Sequence, residues 1–328
     1  MLAGLFRKRE QPLPNNGWQP VKREYVKDKT LAERIEDTGY AVAGTLDEAT
    51  LAALEKHYQE NHNFETPRGG MFYSLYSRDV QYRKTVHDEI GSILKPVYDS
   101  LFDDYRVVLN SYIVKVNGPE SEFCLHQDST GVDETKYSNL SVWIPLQDTN
   151  MENGCMCVVP HSHKMFSPYR GISFDGPFEK ITDTLRRYLT PIELKKGEIL
   201  LFDNRLVHNS VVNMSGNDRI VVMSGIYPTG APLISCYKDP DVADSQIELI
   251  EQDDDYLITF PNFLHDCRCR PETGSSAGFV QWDTRQMGEK EFLSLCKKYE
   301  VKRTDIPVLL SPAPIQAGLD DRGLSTVY

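Results

Sequence analysis

The spacing of hydrophobic and polar residues changes near residue 105 and divides the chain into an early helical part and a later β-rich part. In the early part, "TLAERIEDTGYAVAGTLDEATLAALEKHYQENHNF" predicts a helix, a short strand from Tyr40 to Ala43 and a second helix. Thr45 is a suitable N-cap for that second helix, because Glu48 three residues later completes a capping box. "VHDEIGSILKPVYDSLF" predicts a further helix. We expect these helices to support the β-rich part.

Six short runs after this change have the composition of β-strands, being rich in β-branched or aromatic residues and separated by Gly, Asn, Asp and Pro. The runs are "YRVVLNSYIVKV", "LSVWIPLQ", "CMCVVP", "GEILLFD", "LVHNSVV" and "RIVVMSGIYP". Many short strands in close succession are typical of a sandwich or jelly roll. The pattern therefore predicts a mainly β fold with flanking helices, whose core is a β-sandwich or a jelly roll.

The chain is expected to form one domain with additions at both ends. Residues 1–30 are polar and rich in Pro and Lys, which predicts an N-terminal arm. Residues 31–230 would form the jelly-roll domain with its supporting helices, and residues 231–328 a C-terminal extension packed on the same domain. The extension holds a strand-like "DYLITF" and a helix-like "GEKEFLSLCKKYE". No internal repeat or linker separates these parts, which favours a single domain.

Net charge and composition limit the kinds of partner and the cell compartment that we expect for this protein. The 328 residues carry a formal net charge of -12, which argues against a nucleic-acid or anionic-membrane surface as the main partner. The opening "MLAGLFRKREQPLPNN" lacks the order of a secretory signal, and no apolar run has the length of a membrane span. Seven cysteines are an odd number, which favours reduced thiols. We predict a cytoplasmic protein that binds neither nucleic acid nor membrane.

The stretch "FCLHQDSTG" contains a candidate metal-binding pair. His126 and Asp128 are two residues apart, so on a strand both side chains lie on the same face. Taken alone, such a pair is more often a satisfied buried hydrogen bond. A third ligand, His208 in "GEILLFDNRLVHNS", changes this interpretation, because distant strands of a jelly roll can lie side by side. Two histidines and a carboxylate on one face of an octahedral ion are the ligands of non-heme Fe(II) oxygenases.

Two further residues, both after His208 in the sequence, have side chains that could bind an organic acid chelating the metal. Arg219 begins "RIVVMSGIYP" and could present its guanidinium to the far carboxylate of a keto acid. Ser210 follows His208 by two residues, so its hydroxyl lies on the same strand face. This order of residues favours iron over a buried hydrogen bond.

Three segments together resemble the phytanoyl-CoA dioxygenase family of Fe(II)- and 2-oxoglutarate-dependent oxygenases. They are "HQD" at 126–128, "VWIPLQDTNMENGCMCVVPHSHK" at 142–164 and "HNSVVNMSGNDR" at 208–219, and the resemblance covers roughly residues 35–230. It implies a double-stranded β-helix core of the jelly-roll, cupin-like type, in which His126, Asp128 and His208 ligate Fe(II). It also implies that Arg219 and Ser210 hold the far carboxylate of 2-oxoglutarate.

The resemblance also suggests secondary contacts. It places Trp143 beside the cosubstrate, and Asn110 in the region that supplies an amide or cationic contact to it. Gln127, Ser129 and Thr130 border the iron pair and are our expected substrate contacts.

The reaction that the resemblance implies consumes O2 and 2-oxoglutarate, releases succinate and CO2, and hydroxylates an unactivated carbon. A small molecule such as an amino acid or a secondary-metabolite intermediate fits this acidic chain better than a macromolecule, and coenzyme A esters remain open. The chain departs from the family at His161, where a small residue is usual, and in its long C-terminal extension. Both departures concern the substrate more than the reaction.

The alternative interpretation is a non-catalytic jelly-roll binding protein or a structural zinc protein. Cys155, Cys157, His161 and His163 are four possible zinc ligands within nine residues. A single residue separates the two cysteines, however, whereas paired zinc ligands are usually separated by two to four residues. A binding module, for its part, has no need of an anchoring arginine and serine at the observed offsets. We therefore favour the oxygenase.

Overall fold

In a computed structural model, residues 21, 24–62, 70–239, 246–260, 269–282 and 285–306 are described. The helices in these ranges are α1 (Lys29–Thr38), α2 (Glu48–Asn61), α3 (Val80–Leu101), α4 (Thr182–Arg186), α5 (Tyr256–Thr259) and α6 (Glu289–Lys298). The strands are β1 (Tyr40–Thr45), β2 (Met71–Tyr73), β3 (Tyr105–Lys115), β4 (Phe123–His126), β5 (Leu140–Pro145), β6 (Met156–Val158), β7 (Thr190–Ile192), β8 (Glu198–Asp203), β9 (His208–Ser210), β10 (Arg219–Pro228), β11 (Leu233–Tyr237), β12 (Gln246–Gln252) and β13 (Ser275–Gln281).

The larger sheet has six strands in the order β1-β8-β5-β10-β3-β2. β10 lies in its centre and pairs antiparallel with both β5 and β3. At one end of this pairing Arg219 lies directly opposite Lys115. All six residues of β5 are buried, which explains why "LSVWIP" is apolar without alternation: this strand is covered on both faces.

The smaller sheet has four strands in the order β4-β9-β6-β7 and packs on the inner face of the larger one. Residues of both sheets share one apolar cluster, in which Trp143 and Val221 of the larger sheet meet Met156 and Val158 of the smaller. Two antiparallel sheets joined by such a cluster form a jelly roll. The predicted mainly β fold with a double-stranded β-helix core is confirmed.

The first three helices cover the outer face of the larger sheet. Helix α3 buries a stripe of residues four apart, which are Val86, Ile90, Leu94 and Tyr98, and this stripe packs in one cluster with residues of β3, β5 and β10. The supporting role predicted for these helices agrees with this packing. Among the described residues, no helix is both long enough and apolar enough to cross a membrane.

The part of the chain after β10 packs against the jelly roll, and β11 and α6 make two of these contacts. β11, β12 and β13 form a third sheet, and the Ile234 amide donates to the Gly131 carbonyl at 2.9 Å. Helix α6 buries Phe292 and Cys296 in a cluster with Phe166. The strand predicted for "DYLITF" is wrong: this stretch begins with a turn and continues as α5, where the Thr259 amide donates to the Asp255 carbonyl. A short apolar run does not distinguish helix from strand by itself.

The predicted N-terminal arm lies mostly outside the described residues, but its end is part of the core. Tyr25 and Val26 are 6% and 4% exposed, and Val26 forms a β-bridge with Phe102 at the end of α3. Helix α1 begins at Lys29 with Asp28 as its N-cap. The boundary of the arm at residue 30 is therefore too late, because tertiary packing against α3 orders the residues before it.

Candidate metal centre

The two candidate histidine ligands face each other across paired strands. β4 and β9 are antiparallel, with His126 directly opposite His208, and the two ring centroids are 4.1 Å apart. Asp128 Oδ1 lies 3.7 Å from His126 Nε2 and 3.9 Å from His208 Nε2. One ligand atom from each residue lies within 4.8 Å of the others. The structure therefore brings the three predicted ligands together, although Asp128 and His208 are 80 residues apart in sequence.

Each imidazole is oriented by a carbonyl of its own strand region. His126 Nδ1 lies 2.9 Å from the Cys124 carbonyl oxygen, and His208 Nδ1 lies 2.9 Å from that of Leu206. Because a carbonyl only accepts, Nδ1 carries the hydrogen in both rings and donates it. The lone pair is then on Nε2, the atom nearer Asp128 in both cases. This arrangement of tautomers is the one that metal-binding histidines adopt, so the donor set fits a divalent metal ion.

The charge state of the cluster also suits a metal. Burial, followed by the neighbouring His126, lowers the pKa of His208 to about 4, which keeps this imidazole neutral near pH 7. Burial alone would raise the pKa of Asp128, but the two histidines outweigh it and the pKa is lowered. The side chains of His126 and Asp128 are 24% and 25% exposed, whereas that of His208 is 7% exposed. The cluster is therefore accessible from the side of His126 and Asp128.

A buried network of charges supports the loop that carries Asp128. Arg170 Nε donates to the Asp128 carbonyl at 2.7 Å, and its two Nη atoms donate to the Glu134 carboxylate at 2.7 and 2.6 Å. Arg205 forms a similar paired contact with Asp203, at 2.8 and 2.7 Å. We call Glu134, Arg170, Asp203 and Arg205 the loop-support network. The segments that hold its two ion pairs are distant in sequence, which is why the sequence analysis missed it.

Arg219 lies beside Trp143 on the inner side of the larger sheet, a region that we call the inner end of the site, and its role as a carboxylate anchor stays a prediction. Its side chain is buried, its guanidinium carbon is 5.2 Å from the centre of the Trp143 ring, and Nη1 donates to the Gly154 carbonyl. Burial lowers the pKa of Arg219 to about 10, so the group remains charged near pH 7. Its Nε has no hydrogen-bond partner among the described residues. A buried cationic donor without a partner is a position that fits a carboxylate.

Ser210 and Tyr73 complete the surroundings of the inner end. Ser210 lies opposite Phe123 in the pairing of β4 with β9, two residues beyond His208. The sequence analysis did not single out Tyr73. Burial raises the pKa of its phenol; the positive charge of Arg219 lowers this pKa, and the negative charge of Asp128 raises it. Its phenol therefore lies within electrostatic range of both groups. β2 is only three residues long, too short for a recognisable pattern.

The structure does not bring Asn110 to the cluster, which corrects the expected contact with the cosubstrate. Its side chain accepts from the Tyr98 hydroxyl at 3.0 Å and donates to the His87 carbonyl at 2.9 Å, both on α3. Residues alternate between the two faces of a strand, so Asn110 faces the helices while Ile113, three residues later, faces the smaller sheet.

The three expected substrate contacts differ in what they touch. The Gln127 side-chain amide donates to the Arg205 carbonyl. Thr130 is buried and its hydroxyl donates to the Pro168 carbonyl at 3.0 Å while accepting from the Arg170 amide at 2.8 Å. Ser129 is exposed next to Asp128. Contact with a substrate stays a prediction for all three, and Ser129 is the most accessible.

The four residues of the zinc alternative do not converge. Cys155 and Cys157 are buried, with sulfurs 3.7 and 4.0 Å from Met151 Sδ. The His161 ring stacks on Tyr299, and His163 Nε2 lies 3.1 Å from the Glu36 carbonyl oxygen on α1. Among the residues that the structure describes, the one group of three or more His, Cys, Asp and Glu ligands at metal-binding distances is His126, Asp128 and His208.

Comparison with known proteins identifies the family. The family model for phytanoyl-CoA dioxygenase matches residues 35–221, which include all three candidate ligands and Arg219. This chain belongs to the phytanoyl-CoA dioxygenase family. A curated phytanoyl-CoA dioxygenase of Arabidopsis thaliana is 32% identical over 194 residues, covering 50% of this chain and 68% of the relative. Phytanoyl-CoA dioxygenase 1 of Oryza sativa subsp. japonica is 28% identical over 148 residues, covering 44% of this chain but only 51% of the relative.

A solved structure that this family member resembles is HygX of Streptomyces hygroscopicus, determined with nickel, 2-oxoglutarate and hygromycin B bound. The TM-score is 0.45 at 16% identity, covering 62% of this chain and 88% of HygX.

Proposed function

We propose that this chain is an Fe(II)- and 2-oxoglutarate-dependent dioxygenase that hydroxylates an unactivated carbon of a small molecule, with release of succinate and CO2. The observation that carries the proposal is the convergence of His126, Asp128 and His208 with both Nε2 lone pairs available. Membership of the phytanoyl-CoA dioxygenase family supports it independently of the geometry.

We assign metal binding and cosubstrate binding to different residues of the site. His126, Asp128 and His208 would hold Fe(II) on one face and leave the opposite positions open. When bound, the iron and 2-oxoglutarate supply the oxidising power of the reaction. Arg219, braced by the Trp143 ring and the Gly154 carbonyl, would hold the far carboxylate of 2-oxoglutarate, with Ser210 beside it. The buried inner end would exclude water from this contact.

The substrate would approach from the exposed side of the cluster. His126 and Asp128 are about one-quarter exposed there, and the Phe123 ring meets the His126 ring edge-on at 4.6 Å. A carbon held against this side would lie beside the metal, opposite the buried histidine. We propose a small molecule of the amino-acid or secondary-metabolite type as substrate, in keeping with the acidic chain.

The proposal is tested by adding Fe(II) and then 2-oxoglutarate to metal-free protein under anaerobic conditions. We expect the visible charge-transfer absorption of a keto acid chelated to iron in the wild type, and its loss in His208→Ala. His161→Ala is the matched control, since that histidine lies outside the cluster, and it should keep the absorption. Folded wild-type protein that never develops this absorption would rule out the proposal.

A further inference from the structure

Three sulfur atoms meet at the start of β6, and we call Met151, Cys155 and Cys157 the sulfur cluster. Cys155 immediately precedes β6 and Cys157 lies within it, and both residues are 0% exposed. Their sulfurs lie 3.7 and 4.0 Å from Sδ of Met151. The two thiols also share a side-chain hydrogen bond, which together with burial raises the pKa of Cys157. Each of the three sulfurs is therefore a neighbour of the other two.

Strand alternation separates the sulfur cluster from the candidate iron centre. Met156 and Val158 belong to the inner apolar cluster between the two sheets, and Val158 lies opposite His208. Cys155 and Cys157 alternate with these residues, so they face the other side of the smaller sheet, where a different apolar cluster contains both. The sulfur cluster and the candidate iron ligands thus lie on opposite faces of this sheet.

A hydrogen-bonded turn fixes Met151 beside the two thiols. The side-chain oxygen of Asn150 accepts from the amides of Glu152 and Asn153 at 2.9 and 3.1 Å. The carbonyl of Asn150 accepts from the Cys155 amide at 2.9 Å. Because these bonds close the turn, the backbone sets the separation between the thioether and the thiols. Met151 is half-buried, so an ion can reach the buried thiols from its side.

The spacing of the sulfurs suits an ion that three sulfurs bind. A metal–thiolate bond is about 2.3 Å long for zinc, and a trigonal ion with bonds of this length holds its sulfurs about 4 Å apart. The separations of 3.7 and 4.0 Å from Met151 Sδ agree with this value. Soft thiolate and thioether ligands select Cu(I).

Zn²⁺ does not suit the sulfur cluster, because a structural zinc site has four ligands. Among the residues that the structure describes, Cys155 and Cys157 belong to no group of three His, Cys, Asp or Glu ligands at metal-binding distances. A cation also lies near enough to favour an ion of low charge. Two thiolates and Cu(I) together keep one negative charge, and the buried ammonium of Lys115 lies within electrostatic range of it, since its charge opposes the rise in the pKa of Cys157.

We propose that Met151, Cys155 and Cys157 form a binding site for one soft monovalent metal ion, Cu(I), separate from the candidate iron centre. The two thiols release their protons to solvent as two copper–thiolate bonds form, and Met151 adds its thioether. Neither copper nor sulfur changes its oxidation state. The site shares no ligand with the candidate iron centre, so this inference stands or falls independently of the proposed function.

Apolar packing is the competing explanation. Buried thiols and a thioether also fill space as hydrophobic groups, with the S–H group as a weak donor. Under this explanation Cu(I) would not distinguish the sulfur cluster from any other thiol of the chain, and substitutions would change stability alone.

The experiment offers Cu(I) to the full, reduced chain as its complex with bicinchoninic acid under anaerobic conditions. Loss of the visible absorption of this complex reports the transfer of copper to the protein and gives its Kd. The variants are Cys155→Ser, Cys157→Ser and Met151→Leu. The matched controls are Cys296→Ser, at a buried thiol of the same apolar cluster, and Cys269→Ser, at an exposed thiol. Thermal unfolding with and without copper is measured in parallel.

We expect the wild type to take one equivalent of Cu(I) from the complex and to unfold at a higher temperature with copper bound. Loss of an outer partner of a metal ligand already weakens binding by about 10- to 100-fold, so loss of either thiolate should raise the Kd of Cu(I) at least about a hundredfold. Met151→Leu should raise it about tenfold, because the lost thioether is a neutral ligand. Both controls should retain the wild-type Kd.

Three results would each overturn the inference. Folded wild type that takes no copper from the complex has no such site. A wild-type Kd in Cys155→Ser and Cys157→Ser, or an equal loss in either control, would place the copper at other thiols. Should the serine variants fail to fold, Met151→Leu decides alone, because leucine keeps the volume of the side chain, and an unchanged Kd in that variant would remove Met151 and the three-sulfur site with it.

Discussion

At the scale of single residues, Asp128 is the group that completes the candidate metal centre. Its carboxylate lies near both Nε2 atoms, its amide donates to the Asn204 carbonyl at 3.0 Å, and its second oxygen is 3.5 Å from the Ser141 hydroxyl. The carboxylate is therefore positioned before any metal binds. A ligand held in advance loses little conformational entropy when the metal is bound.

Asp128→Ala should abolish 2-oxoglutarate turnover and lower the affinity for Fe(II) by at least about two orders of magnitude, because the negatively charged ligand is lost. Succinate formation and metal content after dialysis measure the two effects. Asp148→Ala, at an aspartate whose side chain is 56% exposed and pairs with Lys195, is the control and should leave both unchanged. Wild-type turnover in Asp128→Ala would remove this residue from the list of ligands.

At the scale of secondary-structure elements, the start of α2 shows how local sequence can mislead. The predicted cap, Thr45, is the last residue of β1, where it pairs with Glu198. The true cap is Asp47, whose carboxylate accepts from the Thr50 amide and the Thr50 hydroxyl, both at 2.8 Å. Because β1 pairs with β8 as far as Thr45, this residue belongs to the strand and does not cap the helix.

Asp47→Ala should therefore lower the free energy of unfolding, because the helix loses its N-cap, whereas Thr45→Ala should change it by clearly less. Urea denaturation of the two variants beside wild type measures the difference. An equal loss, or a larger loss for Thr45→Ala, would contradict the assignment of the cap.

The loop-support network acts at the same scale, because it fastens the loop after β4 to segments near residues 170 and 205. Glu134→Gln should lower the free energy of unfolding by about 3 kcal/mol, since the buried Arg170 would lose its countercharge. It should also weaken Fe(II) binding by about tenfold, because Arg170 holds the Asp128 carbonyl.

The matched control for this prediction is an exposed ion pair. Asp305 pairs with Arg303 at 2.7 Å, with both side chains more than half exposed, so Asp305→Asn should cost less than about 1 kcal/mol. Equal costs for Glu134→Gln and Asp305→Asn in chemical denaturation would show that the buried network does not support the loop as we infer.

At the scale of the whole molecule, several histidines outside the candidate metal centre are buried or half-buried and have a lowered pKa. His57 Nδ1 lies 2.7 Å from the Tyr112 hydroxyl, and its Nε2 lies 2.9 Å from Glu89. Burial lowers the pKa of His57, of His87 and of His161 below the ordinary value. Each ring therefore resists protonation in the folded protein more than in the unfolded chain.

Stability of the metal-free protein should consequently fall as the pH drops below about 6.5, where the unfolded chain begins to bind more protons than the folded one. Denaturation in urea at pH 7.5, 6.5 and 5.5 measures the slope. His57→Gln, which can keep the hydrogen bond to Tyr112, should show a smaller fall over the same range. Constant or rising stability down to pH 5.5 would contradict the prediction.

The sequence by itself determined the class of fold and the candidate metal ligands. Strand composition and turn residues are local properties, and the two-residue spacing from His126 to Asp128 implies a shared face once a strand is assumed. His208, Ser210 and Arg219 were predicted because their order agrees with one ligand chemistry. Such features are encoded in neighbouring residues or in a family pattern, so they can be predicted before folding is known.

Tertiary structure alone decided which distant residues meet. The face of β3 that Asn110 occupies, the burial of Lys115 against Arg219, and the pairing of Glu134 with Arg170 all depend on strand register and on the packing of one sheet against another. A shift of one residue in register would move the side chains of Asn110 and Lys115 to the opposite face of β3. No local pattern carries that information, because it resides in contacts between segments dozens of residues apart.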